Sequence, residues 1–166
     1  MEESKSMEIL KTAILLERKG KAFYSSVADK ADDADVKKFF QLMADEEDDH
    51  IKFLTEQFSH YTANKNFKAI AVHTEDEGTD EMILSEIVKK KINAASFEAA
   101  AISAAIDFET RAVKVYSDRA ENAEDPEEKK FYQFLADWEK GHHKLLNEID
   151  KELQEKVWFD NNFWPF

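Results

Sequence analysis

The sequence contains no cysteine, and it has only three glycines and two prolines among 166 residues. Without cysteine, disulfide scaffolds, thiolate metal sites, four-cysteine iron sites and thiol catalysis are all excluded. The scarcity of glycine and proline disfavours β architectures with many turns and favours long helices. The composition therefore predicts an all-α protein, and the length corresponds to about one domain.

Long apolar runs and excess positive charge are missing as well. No stretch approaches the ~18 to 20 uncharged apolar residues of a membrane span, and the first 20 residues carry charges throughout, unlike a signal peptide. The formal net charge of -13 argues against nucleic acid and against an anionic membrane surface as partners. We expect a soluble cytoplasmic protein. The acidity has two explanations of equal weight, namely a Glu-rich helical surface and charge that serves cation binding.

The two halves of the chain are related by an internal repeat. Shifting the chain by 92 positions superimposes 13–54 on 105–146, and 18 of the 42 ungapped positions are then identical. Chance would give roughly 3 identities in such a composition. The identical pairs include Glu17 and Glu109, Tyr24 and Tyr116, Glu47 and Glu139, and His50 and His142. The chain is a duplicated unit.

Each repeat reads as a helical hairpin. Asp125 followed by Pro126 is a typical helix start, and Asp33 occupies the matching cap position in the first copy. Apolar residues then recur at helical spacing. These signals predict helices at about 6–30, 34–61, 96–122 and 126–156. Short turns make each hairpin antiparallel, so we expect an antiparallel four-helix bundle of two hairpins within a single domain, 1–166.

Two segments lie outside the four predicted helices. The long crossover at 62–95 contains an amphipathic stretch from Asp80 to Lys91, which predicts a short additional helix. The tail at 157–166 is rich in aromatic side chains, namely Trp158, Phe159, Phe163, Trp164 and Phe166. We expect these aromatics to cap the bundle or to seal a subunit contact.

Acidic residues interrupt the apolar stripes at matching places in both repeats. These residues, with their histidine partners, are Glu17, Glu47, His50, Glu109, Glu139 and His142. A buried carboxylate is costly unless it is paired or binds a cation. A single Glu-x-x-His is a weak signal, but two in register, each with a Glu 30 residues upstream, are specific. Four Glu and two His are the ligand set of di-iron and di-manganese proteins.

The charges of such a site also balance. Four carboxylates would neutralise two divalent metal ions, and two neutral imidazoles would add no charge. Tyr24 and Tyr116 lie two helical turns beyond Glu17 and Glu109 on the same face. Each tyrosine is a candidate for holding a metal-bound carboxylate from outside the ligand shell, and the alternative is a core tyrosine with its hydroxyl satisfied elsewhere.

Four sequence stretches together resemble the ferritin-like superfamily, and most closely its rubrerythrin branch. They are AILLERKGKAFY at 13–24, ADEEDDH at 44–50, IDFE at 106–109 and ADWEKGH at 136–142. The resemblance spans about residues 6–156. It implies that Glu47 and Glu139 bridge two metal ions, that Glu17 and Glu109 are terminal ligands, and that His50 and His142 each bind one ion.

The resemblance also implies an activity. Members of the family hold two iron ions and reduce hydrogen peroxide or dioxygen in oxidative-stress defence, although Fe/Mn or Mn/Mn pairs suit the same ligands. Alternatives are ferritin-like iron storage with ferroxidase activity, or metal binding without turnover. A homodimer is expected.

This sequence departs from rubrerythrin proper at two places. A further Glu usually follows the third-helix ligand by three residues, and that position is Ala112 here. The four-cysteine domain that feeds electrons to the metal pair is missing as well. The resemblance therefore implies an external electron donor, such as a rubredoxin-like protein.

Overall fold

The computed structural model describes residues 4–71 and 78–160. Within these ranges the chain forms five helices and no strand, so the predicted all-α class holds for this part of the protein. The helices are α1 (Lys5–Lys30), α2 (Ala34–Asn64), α3 (Gly78–Lys91), α4 (Phe97–Asn122) and α5 (Pro126–Asp160). The additional helix predicted in the crossover is α3. None of the described helices is long and apolar enough to cross a membrane.

The helix starts follow the predicted caps. Oδ1 of Asp33 accepts hydrogen bonds from the backbone N–H groups of Asp35 (2.9 Å) and Val36 (3.2 Å). Oδ1 of Asp125 likewise accepts from the N–H of Glu127 at 2.8 Å. Such bonds satisfy amide groups that have no partner inside the first helical turn. The two turns between helices are therefore fixed by the same residue type in both repeats.

The long helices pack as antiparallel neighbours. Ser4, just before α1, donates a hydrogen bond to Tyr61 near the end of α2 at 3.1 Å. Ser103 near the start of α4 reaches Asp150 near the end of α5 at 3.4 Å. Helix α1 also contacts α4, and α3 packs against both α2 and α5. Each repeat is thus an antiparallel helical hairpin.

The buried apolar side chains form two clusters, one on each side of the acidic residues. In α1, Leu10 and Ala13 belong to one cluster, whereas Tyr24 and Val27 belong to the other, and Glu17 lies between them in sequence. The same division recurs in α2, α4 and α5. Helix α3 adds Leu84, Val88 and Ile92 to the second cluster. The Glu and His side chains therefore occupy a polar layer between two apolar ones.

Helices α2 and α5 run further than predicted, to Asn64 and Asp160 rather than to 61 and 156. Helix α2 ends where Lys65 adopts a left-handed conformation (φ 60°). No glycine or proline follows residue 156 before Pro165, so nothing in the sequence stops α5 earlier.

The predicted aromatic tail therefore begins inside α5. Trp158 and Phe159 lie in the last turn and are 49% and 86% exposed. Phe163, Trp164 and Phe166 lie outside the described residues. The predicted role of the tail in capping the bundle or sealing a subunit contact remains a prediction.

Candidate metal centre

The four long helices bring all six predicted ligands into the buried polar layer. Helices α1 and α4 each contribute one glutamate, and α2 and α5 each contribute a Glu-x-x-His pair. Five of the six side chains are fully inaccessible to solvent, and the sixth, His142, is 5% exposed. Helical spacing is the local reason, because residues i and i+3 lie one above the other on one face.

The six side chains form two overlapping groups of four. One group contains Glu17, Glu47, His50 and Glu139, and the other contains Glu47, Glu109, Glu139 and His142. Within each group, one ligand atom from every residue lies within 4.8 Å of all the others. Glu47 and Glu139 belong to both groups. The geometry therefore offers two adjacent cation positions with two carboxylates between them.

The histidine rings face these carboxylates through Nδ1. Nδ1 of His50 lies 2.8 Å from Oε1 of Glu139 and 3.1 Å from Oε2 of Glu17. Nδ1 of His142 lies 3.4 Å from Oε2 of Glu139 and 3.9 Å from Oε1 of Glu109. The two imidazole rings are stacked, with centroids 5.6 Å apart. Both rings thus offer the same nitrogen to the acidic layer.

Each tyrosine of the repeat holds a carboxylate from the other hairpin. The hydroxyl of Tyr24 donates a hydrogen bond of 2.5 Å to Oε1 of Glu109. The hydroxyl of Tyr116 donates to Oε1 of Glu17. All four side chains are fully buried. The bonds orient the two glutamates from outside the layer through Oε1, and they do not engage Oε2 of either glutamate.

Several polar atoms of this layer lack a hydrogen-bond partner among the described residues. They are both carboxylate oxygens of Glu47 and of Glu139, Oε2 of Glu109, Nδ1 of His142 and Nε2 of His50. Oε1 of Glu139 lies 2.8 Å from Nδ1 of His50, but that nitrogen hydrogen-bonds to Oε2 of Glu17. Buried polar atoms left unpaired cost about 1–3 kcal/mol each. Bound cations would satisfy the oxygens, so the donor set fits a two-metal site.

The titration behaviour of the glutamates reflects the same crowding. Burial raises the pKa of Glu47 well above its usual range, and the neighbouring carboxylates of Glu17 and Glu139 raise it further. The pKa of Glu109 is also raised well above normal, first by burial and then by Glu139. Four carboxylates cannot all ionise here without a compensating positive charge.

The histidines supply part of that charge when metal is absent. Burial alone would lower the pKa of His50, but the carboxylates of Glu139 and Glu17 raise it to about 10. Burial opposes ionisation of Glu139, yet its contacts with His50 and His142 hold its pKa well below the normal range. The metal-free layer therefore keeps protons that metal ions would displace.

Two acidic residues beside this layer were not predicted from the sequence. Glu46, which is 16% exposed, contacts Nε2 of His142 on the side away from the other carboxylates. Burial opposes ionisation of Glu46, but the contact with His142 lowers its pKa to about 2. Burial and Glu46 together raise the pKa of Glu81, on α3, to about 8. A repeat comparison could have singled out Glu46, since it interrupts a run of identical positions opposite Trp138.

Gly20 marks a close approach of α4 to α1 at the edge of the layer. A Cβ atom added at Gly20 would lie 2.7 Å from Cε1 and Cζ of Phe108 and 3.2 Å from Cδ of Glu47. The matching position in the second repeat carries Ala112. The absence of a side chain at Gly20 lets the Phe108 ring lie against α1 beside the Glu47 carboxylate.

We expect Gly20→Ala to lower the free energy of unfolding, whereas Gly141→Ala raises it. Alanine favours the helix over glycine by up to about 1 kcal/mol at both positions. At Gly20 the added methyl group also displaces Phe108 or Glu47, and overpacking of this kind costs about 1–3 kcal/mol. An added Cβ at Gly141 meets nothing within 4 Å. Urea denaturation of both metal-free variants measures the difference, and equal stabilisation of the two would contradict the crowding at Gly20.

A family model and a solved structure match this chain. The family model described as rubrerythrin matches residues 8–150, a range that contains all six residues. A solved structure of a hypothetical protein from Pyrococcus furiosus is 22% identical, covers 91% of each chain and has a TM-score of 0.59. At that identity the likeness shows a shared fold. No curated protein matches the chain.

Proposed function

Because the chain belongs to the rubrerythrin family, we propose that it holds two iron ions and reduces hydrogen peroxide or dioxygen in defence against oxidative stress. In this proposal the four long helices form the family's antiparallel four-helix bundle as a single domain. The ligands are Glu17, Glu47, His50, Glu109, Glu139 and His142. Fe/Mn and Mn/Mn pairs suit the same oxygen and nitrogen donors.

One observation carries the proposal. Two groups of four buried ligand atoms share Glu47 and Glu139, and both oxygens of these two glutamates lack hydrogen-bond partners in the part of the chain that the structure describes. A carboxylate common to two adjacent cation positions can bridge them. Glu17 and Glu109 each belong to one group only, which suits terminal ligands.

The proposed reaction balances with two electrons. A ferrous pair held by these six residues would supply the two electrons that, with two protons, convert one hydrogen peroxide into two molecules of water. The chain's own residues position the ligands and exclude water. Tyr24 and Tyr116 hold the terminal carboxylates in place, and the apolar clusters on both sides exclude bulk water from the layer.

Electrons for further turnovers must come from outside these 166 residues, because the sequence has no cysteine for a second iron site. We propose an external donor such as a rubredoxin-like protein, and a homodimer as the assembly.

A peroxide titration tests the activity. We expect protein loaded anaerobically with ferrous iron to consume one hydrogen peroxide per two irons, read by the rise of ferric absorbance in the near ultraviolet. Adding a reductant should restore the ferrous state and allow repeated cycles. Iron uptake far beyond two ions per chain would instead indicate storage. Two bound irons that peroxide leaves ferrous would indicate metal binding without turnover, and both outcomes would overturn the proposal.

A further inference from the structure

The two histidines of the layer have unlike neighbours at equivalent positions of the repeat. Nε2 of His142 contacts the carboxylate of Glu46. His50 instead packs against the Trp138 ring, with centroids 4.1 Å apart and planes at 77°. Glu46 and Trp138 are 92 positions apart, so they occupy the same place in the two repeats. Each reaches the histidine of the other hairpin.

The contact with Glu46 fixes the state of His142. A carboxylate that accepts a hydrogen bond from Nε2–H keeps that proton on Nε2. Nδ1, which faces Glu139 and Glu109, is then the nitrogen that a cation binds when it displaces the other proton. Nδ1 has no hydrogen-bond partner in the described part of the chain. Carboxylate partners of this kind also make a ligating imidazole more basic. His142 is therefore oriented and polarised for one cation.

His50 lacks such support. When its Nδ1 binds a cation, its Nε2 must carry the proton, and Nε2 is buried without an acceptor among the described residues. The indole of Trp138 has only a hydrogen-bond donor, so it cannot accept that proton. A buried N–H without an acceptor weakens the ligand. The two repeats thus differ at positions 46 and 138. This difference gives the histidine of one cation position a carboxylate partner and leaves the other histidine without one.

We propose that the two metal positions are unequal, and that Glu46, acting through His142, makes the position bound by His142 the tighter one. This inference rests on the proposed two-metal site. Glu46 is a positioning residue, since it reaches the cation only through the imidazole. Loss of an outer-shell partner of this kind typically weakens metal binding on the order of 10- to 100-fold.

Cobalt(II) titrations of single-histidine variants test the inference. His50→Ala keeps the position served by His142, and His142→Ala keeps the position served by His50. We expect the His50→Ala protein to bind its first Co(II) at least about 10-fold more tightly than the His142→Ala protein. Calorimetry gives the affinities, and the visible absorption of Co(II) reports the ligand set. Equal affinities would overturn the inference.

Adding Glu46→Ala to both backgrounds completes a double-mutant cycle. We expect it to weaken Co(II) binding about 10- to 100-fold in His50→Ala and to leave His142→Ala nearly unchanged. Glu46→Gln keeps an acceptor for Nε2–H and should restore part of the loss. An equal effect in both backgrounds would mean that Glu46 acts only on general stability, which would also overturn the inference.

Trp138→Glu provides the converse test, because it places a carboxylate at the equivalent position beside His50. We expect it to tighten Co(II) binding in the His142→Ala background. Failure of the wild-type protein to bind two Co(II) ions would count against the proposed two-metal site itself. Two ions bound with no dependence on Glu46 or Trp138 would count against the unequal positions alone.

Discussion

Replacing Glu47 by glutamine should remove most of the bound metal while making the metal-free protein more stable above neutral pH. Glu47 belongs to both groups of ligand atoms, so its loss affects both cation positions. We expect affinity to fall by more than the roughly 10- to 100-fold typical of outer-shell partners. In the metal-free protein the same carboxyl is buried among like charges, and burial raises its pKa first of all. A neutral amide of similar shape relieves that repulsion, by on the order of 1 kcal/mol.

The opposite signs of the two effects make this test decisive. Metal analysis by plasma emission gives the content per chain, and urea denaturation of the metal-free proteins at pH 8 gives the stability. Glu139→Gln should lower the metal content in the same way, because Glu139 also belongs to both groups of ligand atoms. Asp45→Asn is the matched control, because Asp45 is an exposed acid on α2 that accepts a hydrogen bond from Gln41, one helical turn away on the surface. Two metals still bound per chain in Glu47→Gln would show that the ligand assignment is wrong.

The sequence predicted the location of the acidic layer because two periodicities agree there. Helical spacing places Glu47 and His50 on one face, and the repeat places a copy of that face on another helix. A buried carboxylate is costly unless it is paired or binds a cation. Because such a carboxylate recurs at the same place in both halves, the sequence predicts one centre shared by the two repeats. The roles of these residues as metal ligands are a proposal that the metal-binding tests above address.

The partners of the tyrosines could not be derived in the same way. Spacing along one helix relates Tyr24 to Glu17, yet the structure pairs Tyr24 with Glu109 and Tyr116 with Glu17. Sequence spacing gives the face of a helix, but it does not give the relative height of two neighbouring helices. That height decides which carboxylate each hydroxyl reaches.

The role of Glu46 was not predicted either, because it also depends on a contact between different helices. It is adjacent to Glu47 in sequence, and its direction on the helix differs by about 100° from that of its neighbour. Sequence alone gave it no buried partner. Its partner, His142, belongs to α5, and Glu81 approaches from α3 within the long crossover. Contacts between distant segments have no local signal in the sequence.

The pH dependence of the metal-free protein follows from the directions of the pKa shifts. Glu47 and Glu109 have raised pKa values, so their contribution to stability is complete below about pH 4.3 and is lost as the pH rises. The pKa of His50 rises from about 6.5 unfolded to about 10 folded, so its contribution is lost between these values. Glu139 has a lowered pKa, and its contribution is lost only in acid.

Metal should therefore stabilise the protein more strongly as the pH rises from 6 to 8.5. Over this range the metal-free protein loses the contributions to its stability of His50 and of the two glutamates with raised pKa values. The same ligands bind cations more tightly once they are deprotonated. Thermal melts with excess Co(II) and with chelator, at several pH values, measure the difference in Tm. Excess ligand at about 100 times its Kd adds about 2.7 kcal/mol per site, which for a domain of this size is a shift of several degrees. A Tm difference that shrinks toward alkaline pH would mean that the buried carboxylates and histidines do not hold the cations, because their deprotonation would strengthen metal binding as the pH rises.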